Sequence, residues 1–334
     1  MRLAVATALR ASMGCASSRV DVDPASHRAL DRSSPPSTSA AVATSRSRRS
    51  LDIFHDALTS FREHFSSAST THWDAAPCEW LRVRAASYFV DAKKAPPRER
   101  PLLTLRHVDL FDGSSLASDG DDARVDFCRT RPESWFRREF ERDGGATTAW
   151  TFAMHFVNPD GANLVCYFQP EGDGAESVRD ARRLCDWVDA NSSPSFAKTL
   201  RRFVETDDDA YRAARVKLCA KLHPQSPLML RKCVPTKPVL VGKRASTRFF
   251  RGAGDTEGYE DRYLECCIEC GTSASAKYLY NMFSGLSARS DEDLAIWIEG
   301  AREDELPERV LGAVRLRRIS PKCLTKLTKL PLVR

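Results

Sequence analysis

The chain has 334 residues, of which 42% are apolar and 29% charged, with a formal net charge of +6. This composition fits a globular protein with a sizeable core, and no run approaches the roughly 18 consecutive apolar residues of a membrane-spanning helix. We therefore expect any membrane contact to be peripheral. The basic residues concentrate at the two ends: residues 1–50 hold eight Arg against three Asp, and residues 314–334 hold seven Lys or Arg and no acid.

This charge distribution bears on whether the partner is a nucleic acid or a membrane. A net negative middle between basic ends is unlike a nucleic-acid groove, so no nucleic-acid partner is expected. Basic arms suit an anionic membrane leaflet, although solvated tails are the alternative. The eleven cysteines are odd in number and scattered, and several lie in apolar runs, which indicates a reducing compartment such as the cytosol and no disulfide framework.

Residues 1–50 are rich in Ala, Ser and Arg without apolar periodicity, which predicts a disordered N-terminal segment. The run Met13–Ser18 reads M-G-x-x-x-S. If translation starts at Met13, Gly14 becomes a myristoylation site and Cys15 a palmitoylation site. If Met1 is the true start, the Arg-containing, acid-free opening resembles an organelle transit peptide. An inert tail is the third alternative.

The body begins with an amphipathic helix at Leu51–Phe65, where apolar residues recur every three or four positions. Alternating patterns then predict strands at Trp80–Arg84, Leu102–Phe111, Trp150–Val157 and Ala162–Phe168. The sequence Asn-Pro-Asp-Gly at 158–161 is a strong turn signal, so the last two strands form a predicted hairpin.

Helical periodicity appears at residues 177–205, with a second helix opening at Pro194 after a Ser cap. Helices in separate blocks and short links between strands predict an α+β fold with a largely antiparallel, curved β-sheet and packed helices. We expect one domain at 51–320 and a basic tail at 321–334. The remaining predicted elements are strands Val216–Leu222, Leu228–Val234, Val239–Lys243, Thr247–Arg251 and Tyr263–Cys270, helix Ser273–Ser284, and strands Leu294–Glu299 and Val310–Ile319.

The predicted strand Tyr263–Cys270 contains carboxylate and cysteine side chains that could take part in catalysis or metal binding. Alternation places Tyr263, Glu265, Cys267 and Glu269 on one face and Cys266, Ile268 and Cys270 on the other. The two carboxylates could form an acid/base pair, but the pattern favours a cross-strand ladder with Lys217 and Lys221. Adjacent cysteines on opposite faces do not share one ion easily, so no metal site is expected.

Six segments carry patterns of one known family, in the family's order from Trp80 to Ile319. They are, with the family's pattern in parentheses, Trp80–Lys94 (W-x-x-R-G-x-x-Y-x-x-D-x-K-K), Val108–Phe111 (V-D-L-F), Arg215–Leu218 (R-F-K-L), Lys237–Lys243 (x-P-x-L-x-G-K), Tyr263–Ala276 (Y-L-E-x-D-x-D-I-G-S-S-x-x-A) and Glu305–Arg315 (E-E-L-P-E-x-L-L-G-x-x-R). Together they resemble the plant-type "enhanced disease resistance two, C-terminal domain" family. Cys267 and Glu269 stand where that family has an acidic pair.

The resemblance implies a lipid association, because larger family members carry phosphoinositide-binding and START-type lipid-transfer domains ahead of this one. The sequence holds no lipase elbow, phosphate-binding loop or zinc-protease motif, so we expect a non-catalytic protein without a cofactor, cytoplasmic and peripheral at a membrane. Its partner would be a membrane lipid, phosphoinositides included; a protein-interaction module without a lipid ligand is the alternative. Candidate contacts to anionic head groups are Lys93, Lys94, Lys243, Arg244, Arg248 and Arg251.

Overall fold

A computed structural model describes residues 72–114, 126–224, 226, 228, 231, 236–252, 258–271 and 290–327. Within these ranges the predicted α+β class is confirmed. The helices are α1 (Tyr88–Asp91), α2 (Phe127–Thr130), α3 (Trp135–Asp143), α4 (Ala181–Asn191), α5 (Pro194–Glu205) and α6 (Asp209–Ala213). The strands are β1 (Trp73–Ala75), β2 (Val83–Arg84), β3 (Lys94–Ala95), β4 (Leu103–Asp112), β5 (Thr151–Val157), β6 (Ala162–Pro170), β7 (Val216–Leu222), β8 (Val239–Leu240), β9 (Ser246–Phe250), β10 (Tyr263–Glu269), β11 (Asp291–Ile298), β12 (Val310–Arg317) and β13 (Thr325–Lys326).

The strands divide between two large sheets and a short ribbon. One sheet has the order β1-β12-β11-β7-β8 with every pair antiparallel. The other has the order β13-β4-β6-β5-β10-β9, and in it β10 runs parallel to β5 and β13 parallel to β4. The largely antiparallel character is therefore confirmed, with two parallel pairs that the sequence did not indicate. The ribbon pairs β2 with β3.

The predicted hairpin of β5 and β6, with its turn at 158–161, is confirmed. The two strands pair antiparallel from Phe152 opposite Phe168 to Val157 opposite Asn163. Gly161 takes a positive φ of 86°, a conformation that costs other residues more, and its N–H donates to the Asn158 carbonyl at 3.0 Å.

The main core lies between the two sheets and helices α4 and α5. It takes apolar side chains from the inner face of both sheets, such as Phe152 on β5 and Val314 on β12. The helices add residues at three- and four-residue steps, which is why the period of the sequence changes there. The predicted start of α5 is confirmed, because the Ser193 hydroxyl accepts a hydrogen bond from the Phe196 N–H and Pro194 is the first helical residue.

The six-stranded sheet is covered on its outer face as well. Helices α2 and α3 place Phe127, Phe136 and Phe140 on that face, against Tyr167 and Tyr263 of the sheet. A strand buried on both faces reads as a continuous rather than an alternating apolar run, and every residue of β10 is indeed buried.

The outer face of the five-stranded sheet is covered by the segment that leads into the ribbon. Leu81 and Val83 pack there against Trp297 and Val310. The predicted strand Trp80–Arg84 is shorter than expected, because Trp80 and Leu81 belong to a turn that covers this face and only Val83 and Arg84 pair with β3.

One buried carboxylate, Glu308, joins the ribbon to the five-stranded sheet. Its side chain accepts hydrogen bonds from the Lys217 ammonium at 2.6 Å, the Trp297 indole at 3.1 Å, and the backbone N–H groups of Arg84 at 2.9 Å and Gly300 at 3.2 Å. The Glu308 N–H in turn donates to the Arg84 carbonyl at 3.1 Å. Burial in low dielectric makes such a fully bonded carboxylate hard to replace.

Other predicted boundaries differ from the structure. Of the predicted strand Leu228–Val234, the described residues Leu228 and Arg231 are helical, so that prediction is wrong. The predicted strand Val239–Lys243 turns into a 3₁₀ helix after Leu240. The folded domain extends past 320, because β13 pairs with β4 and Leu327 is buried beside it. The predicted disordered segment 1–50 and helices Leu51–Phe65 and Ser273–Ser284 lie outside the described residues.

Replacing Glu308 by Ala should lower the free energy of unfolding by about 3–5 kcal/mol, because it removes the main acceptor of the buried Lys217 and leaves that charge poorly compensated. Urea unfolding followed by circular dichroism measures the loss. The control is Glu303→Ala, which changes an exposed glutamate of the same connection and should stay within about 0.5 kcal/mol of the parent chain. Equal stability of the two variants would show that Glu308 does not hold the sheet and ribbon together.

Glu292 gives the fold a pH dependence. It is buried between its register neighbours Leu222 and Leu316, and its Oε1 has no hydrogen-bond partner in the structure. Burial, with a smaller contribution from the charge of Asp291, raises the pKa of Glu292 to about 8. In the unfolded chain this carboxyl ionises at its ordinary value, 4.5, so folding is opposed increasingly as the pH rises from there to about 8.

Glu292→Gln should therefore be more stable than the parent chain at pH 8, and the advantage should shrink towards pH 5 by roughly 1.4 kcal/mol for each pH unit. Urea unfolding of both chains across this range tests the slope. Glu303→Gln serves as the exposed control and should show no such trend. A difference between Glu292→Gln and the parent that does not change with pH would contradict the prediction.

Candidate functional site

The segment 85–94, which runs from the end of β2 to the first residue of β3 and which we call the tip, carries two adjacent exposed apolar side chains, including the most exposed large one among the described residues. Phe89 is 48% exposed and Val90 is 82% exposed, and both belong to the short helix α1. No residue of α1 is buried. An apolar pair held this far out of the core is informative, because large exposed apolar groups with polar rims mark interaction sites.

Local hydrogen bonds determine the conformation of the tip. The Ser87 hydroxyl donates to the Asp91 carboxylate at 2.9 Å, and that carboxylate accepts the Lys93 N–H at 2.8 Å. Ala92 takes a left-handed conformation with φ of 54°, and its N–H donates to the Tyr88 carbonyl at 2.8 Å. These contacts close the turn and leave the side chains of Phe89 and Val90 pointing away from the body.

Arg84 anchors the tip from below. Its guanidinium forms an ion pair with Glu299 at 3.0 Å and lies over the Tyr88 ring, 4.6 Å from the centroid. The Tyr88 and Phe89 rings meet edge to face at 5.6 Å. A cation over an aromatic face is an attractive contact. The exposed Phe89 therefore packs against a Tyr88 ring that Arg84 already holds in place.

Basic residues surround the apolar pair. The predicted lipid contacts Lys93 and Lys94 are both exposed, and neither forms a salt bridge with a described residue. Arg82 and Arg98 are exposed on the flanks of the same ribbon. The structure thus brings one of the two predicted basic clusters together with an apolar surface.

The second predicted cluster divides into two parts. Lys243 and Arg244 are exposed at the 3₁₀ helix that follows β8. Arg248 instead pairs with Glu269 at 3.5 Å. Arg251 pairs with Asp207 at 3.4 Å and Asp261 at 3.5 Å, and it donates to the last carbonyls of α5. The charges of Arg248 and Arg251 are therefore largely engaged in holding β9 in place.

The predicted ladder between Glu265, Glu269 and the lysines Lys217 and Lys221 is wrong. The two lysines lie on β7 in the five-stranded sheet, whereas β10 lies between β5 and β9 in the other sheet. The predicted alternation is correct, because Cys266 and Ile268 belong to the inner core and Tyr263 to the outer one.

A buried polar cluster takes the place of the ladder on the outer face of the six-stranded sheet. Glu265 lies 2.9 Å from His155 Nδ1, and His155 Nε2 lies 2.8 Å from Asn163 Oδ1. The second oxygen of Glu265 accepts the Cys128 N–H at 2.9 Å. His155, Glu265 and Cys267 are all 0% exposed, with the Phe127 ring 4.9 Å from that of His155.

The electrostatics of this cluster are dominated by burial and by Glu265. Desolvation alone would lower the pKa of His155, but the charges and hydrogen bonds of Cys267 and Glu265 outweigh it and hold that pKa well above its usual range. Burial and the charge of Glu265 raise the pKa of Asp126 to about 6. Burial likewise raises the pKa of the Cys128 thiol.

Sequence reasoning missed two of these features. His155 stands 110 residues from Glu265, and their contact arises from the parallel pairing of β5 with β10, which no local pattern reveals. Phe89 and Val90 had a readable signal, since Tyr-Phe-Val at 88–90 lies two residues before the lysine pair and breaks the polarity expected of a loop.

Two membrane-related expectations concern other parts of the chain. Gly14 and Cys15, the predicted acylation sites, lie outside the described residues. Among the residues that the structure describes, no helix has the length and apolar character to cross a bilayer.

The family profile described as "Protein ENHANCED DISEASE RESISTANCE 2, C-terminal" matches residues 73–320, which include the tip, the buried polar cluster and all the strands described above except β13. A relative from Arabidopsis thaliana, "Protein ENHANCED DISEASE RESISTANCE 2-like", is 31% identical over 116 residues, which is 35% of this chain and 15% of that relative. The matched segment is thus a small part of that longer protein. No solved structure is matched by the chain. The resemblance seen in the sequence is confirmed, and the chain belongs to the enhanced disease resistance 2 C-terminal family.

Proposed function

We propose that this chain is a non-catalytic, cytoplasmic protein that docks on an anionic lipid surface through the tip. The observation that carries the proposal is that exposed Phe89 and Val90 share one pre-formed turn with exposed Lys93 and Lys94, which form no salt bridge with any described residue. Apolar side chains enter the head-group region while lysines stay among the lipid phosphates, an arrangement typical of interfacial binding.

Magnitudes indicate that the tip acts with a second attachment. Full burial of a Phe or Val side chain contributes about 1.5–3 kcal/mol, and each basic residue near an anionic leaflet about 1 kcal/mol. Even before the cost of association is subtracted, such a sum supports binding no tighter than about 1 μM. An acyl chain on Gly14, with a second on Cys15, would supply the additional attachment and convert weak contacts into stable anchoring.

The basic groups give the surface its preference for anionic head groups. Lys93 and Lys94 are mobile point charges suited to phosphate-bearing lipids, phosphoinositides among them. Lys243 and Arg244 provide a second exposed basic pair, whereas the ion pairs of Arg248 and Arg251 reduce what those residues contribute.

Vesicle co-sedimentation of the full chain tests the docking surface. Phe89→Ala/Val90→Ala should bind phosphatidylserine-containing vesicles at least about tenfold more weakly than the parent chain, because the lost apolar burial exceeds 1.4 kcal/mol. Val239→Ala, which changes another exposed apolar residue, is the matched control and should bind as the parent does. Equal binding by the double variant and the control would overturn the role of the tip.

The lysine pair makes a separate prediction about lipid charge. Lys93→Gln/Lys94→Gln should lose most of the preference for anionic over neutral vesicles and should show a weaker dependence on salt, because screening acts on these charges. The same sedimentation assay at low and high salt measures both. If the parent chain binds neither kind of vesicle, the protein-interaction alternative is favoured over lipid docking.

Mass spectrometry of the native N-terminus tests the acylation proposal. We expect a peptide that begins at Gly14 with a myristoyl group and carries palmitate on Cys15. An unmodified peptide that begins at Met1 would contradict this and would leave the tip without the proposed acyl attachment.

A further inference from the structure

The buried polar cluster brings three different metal-binding groups to one point. A ring nitrogen of His155, a carboxylate oxygen of Glu265 and the sulphur of Cys267 all lie within 4.8 Å of one another. The strand register explains this: Cys267 is the direct partner of His155 across the parallel pair, and Glu265 precedes it by two residues on the same face. All three are fully buried.

The orientation of His155 is set by a chain of hydrogen bonds. The Asn163 amide donates through Nδ2 to the Gly161 carbonyl at 2.9 Å, so its Oδ1 faces the imidazole. His155 Nε2–H therefore donates to that Oδ1, and Nδ1 is left facing Glu265. A metal-binding histidine ordinarily donates its other ring N–H to an oxygen acceptor, which fixes the ring and its tautomer.

Glu265 is held in the same way. One of its oxygens faces His155, and the other accepts the Cys128 N–H at 2.9 Å. His155 and Glu265 are thus each positioned by a hydrogen bond from or to a neighbour that is not itself needed for coordination.

We propose that His155, Glu265 and Cys267 bind one buried Zn²⁺ ion. A donor set of one nitrogen, one carboxylate oxygen and one thiolate is the chemistry that Zn²⁺ prefers, and complete burial fits an ion that stabilises the fold. The sequence argued against a metal because Cys266 and Cys267 face opposite sides; the second donor is instead a histidine from β5.

The charges of the three ligand groups suit a divalent cation. A neutral imidazole, a carboxylate and a thiolate around Zn²⁺ leave the site with no net charge, which a low-dielectric interior favours.

The first test uses the full chain without any substitution. Zinc content of the purified protein, measured by plasma mass spectrometry, should reach one ion per chain, and a strong chelator should lower the melting temperature until zinc is added back. Replacement of zinc by Co²⁺ should give a thiolate-to-cobalt charge-transfer band. Absence of zinc, together with no thermal shift on zinc addition to chelator-treated protein, would overturn the proposal.

Adjacent cysteines provide a matched pair of variants that assigns the site. Cys266 and Cys267 are both 0% exposed but lie on opposite faces of β10. Cys267→Ala should lose zinc and the charge-transfer band, Cys266→Ala should keep both, and Asn163→Ala should weaken zinc binding by about 10–100-fold. If the two cysteine variants lose zinc equally, or only Cys266→Ala does, the assignment is wrong; should Cys267→Ala fail to fold, the parent chain's stoichiometry and cobalt spectrum still decide.

Discussion

The parallel pairing of β10 with β5 is the constraint on which the rest of this structure depends. It inserts a strand from late in the chain between β5 and β9 of the six-stranded sheet. Parallel neighbours need a long crossover, and the residues between these two strands form α4, α5 and the strands β7 and β8 of the five-stranded sheet. The same register sets Cys267 opposite His155, so one backbone pairing creates both the two-layered core and the buried polar cluster.

Much of the secondary structure is readable from sequence for local reasons. The alternation in Val216–Leu222, the turn signal at 158–161 and the Ser-Pro start of α5 each depend on neighbouring residues, and all three are confirmed. Which strands pair depends instead on packing between residues that are far apart in the sequence. The assignment of Glu265 to a lysine ladder failed for that reason: local alternation gives the face of a residue but not the strand beside it.

The candidate site could be predicted from the sequence only in part, for the same physical reason. The lysines of the tip are visible as a charged pair, whereas the exposure of Phe89 depends on a turn closed by Ser87 and Asp91. The base of the tip depends on Glu308, 224 residues from Arg84. Conversely, the sequence suggests that Arg251 is a free surface cation. In the structure its guanidinium donates to a backbone carbonyl at the C-terminal end of α5.

Different residues of the ribbon and the tip contact the sheet and face the solvent, and this bears on which positions can change without loss of stability. Arg84 and Glu308 bind the ribbon to the sheet, while α1 buries none of its own residues. Exposed positions without core contacts tolerate replacement with changes in stability of about 0.5 kcal/mol or less. Replacement of the outward residues of the tip would thus leave the stability nearly unchanged, whereas replacement of Arg84 or Glu308 would not. If the tip docks as proposed, binding and stability depend on different positions of the same short hairpin, so one could change without loss of the other.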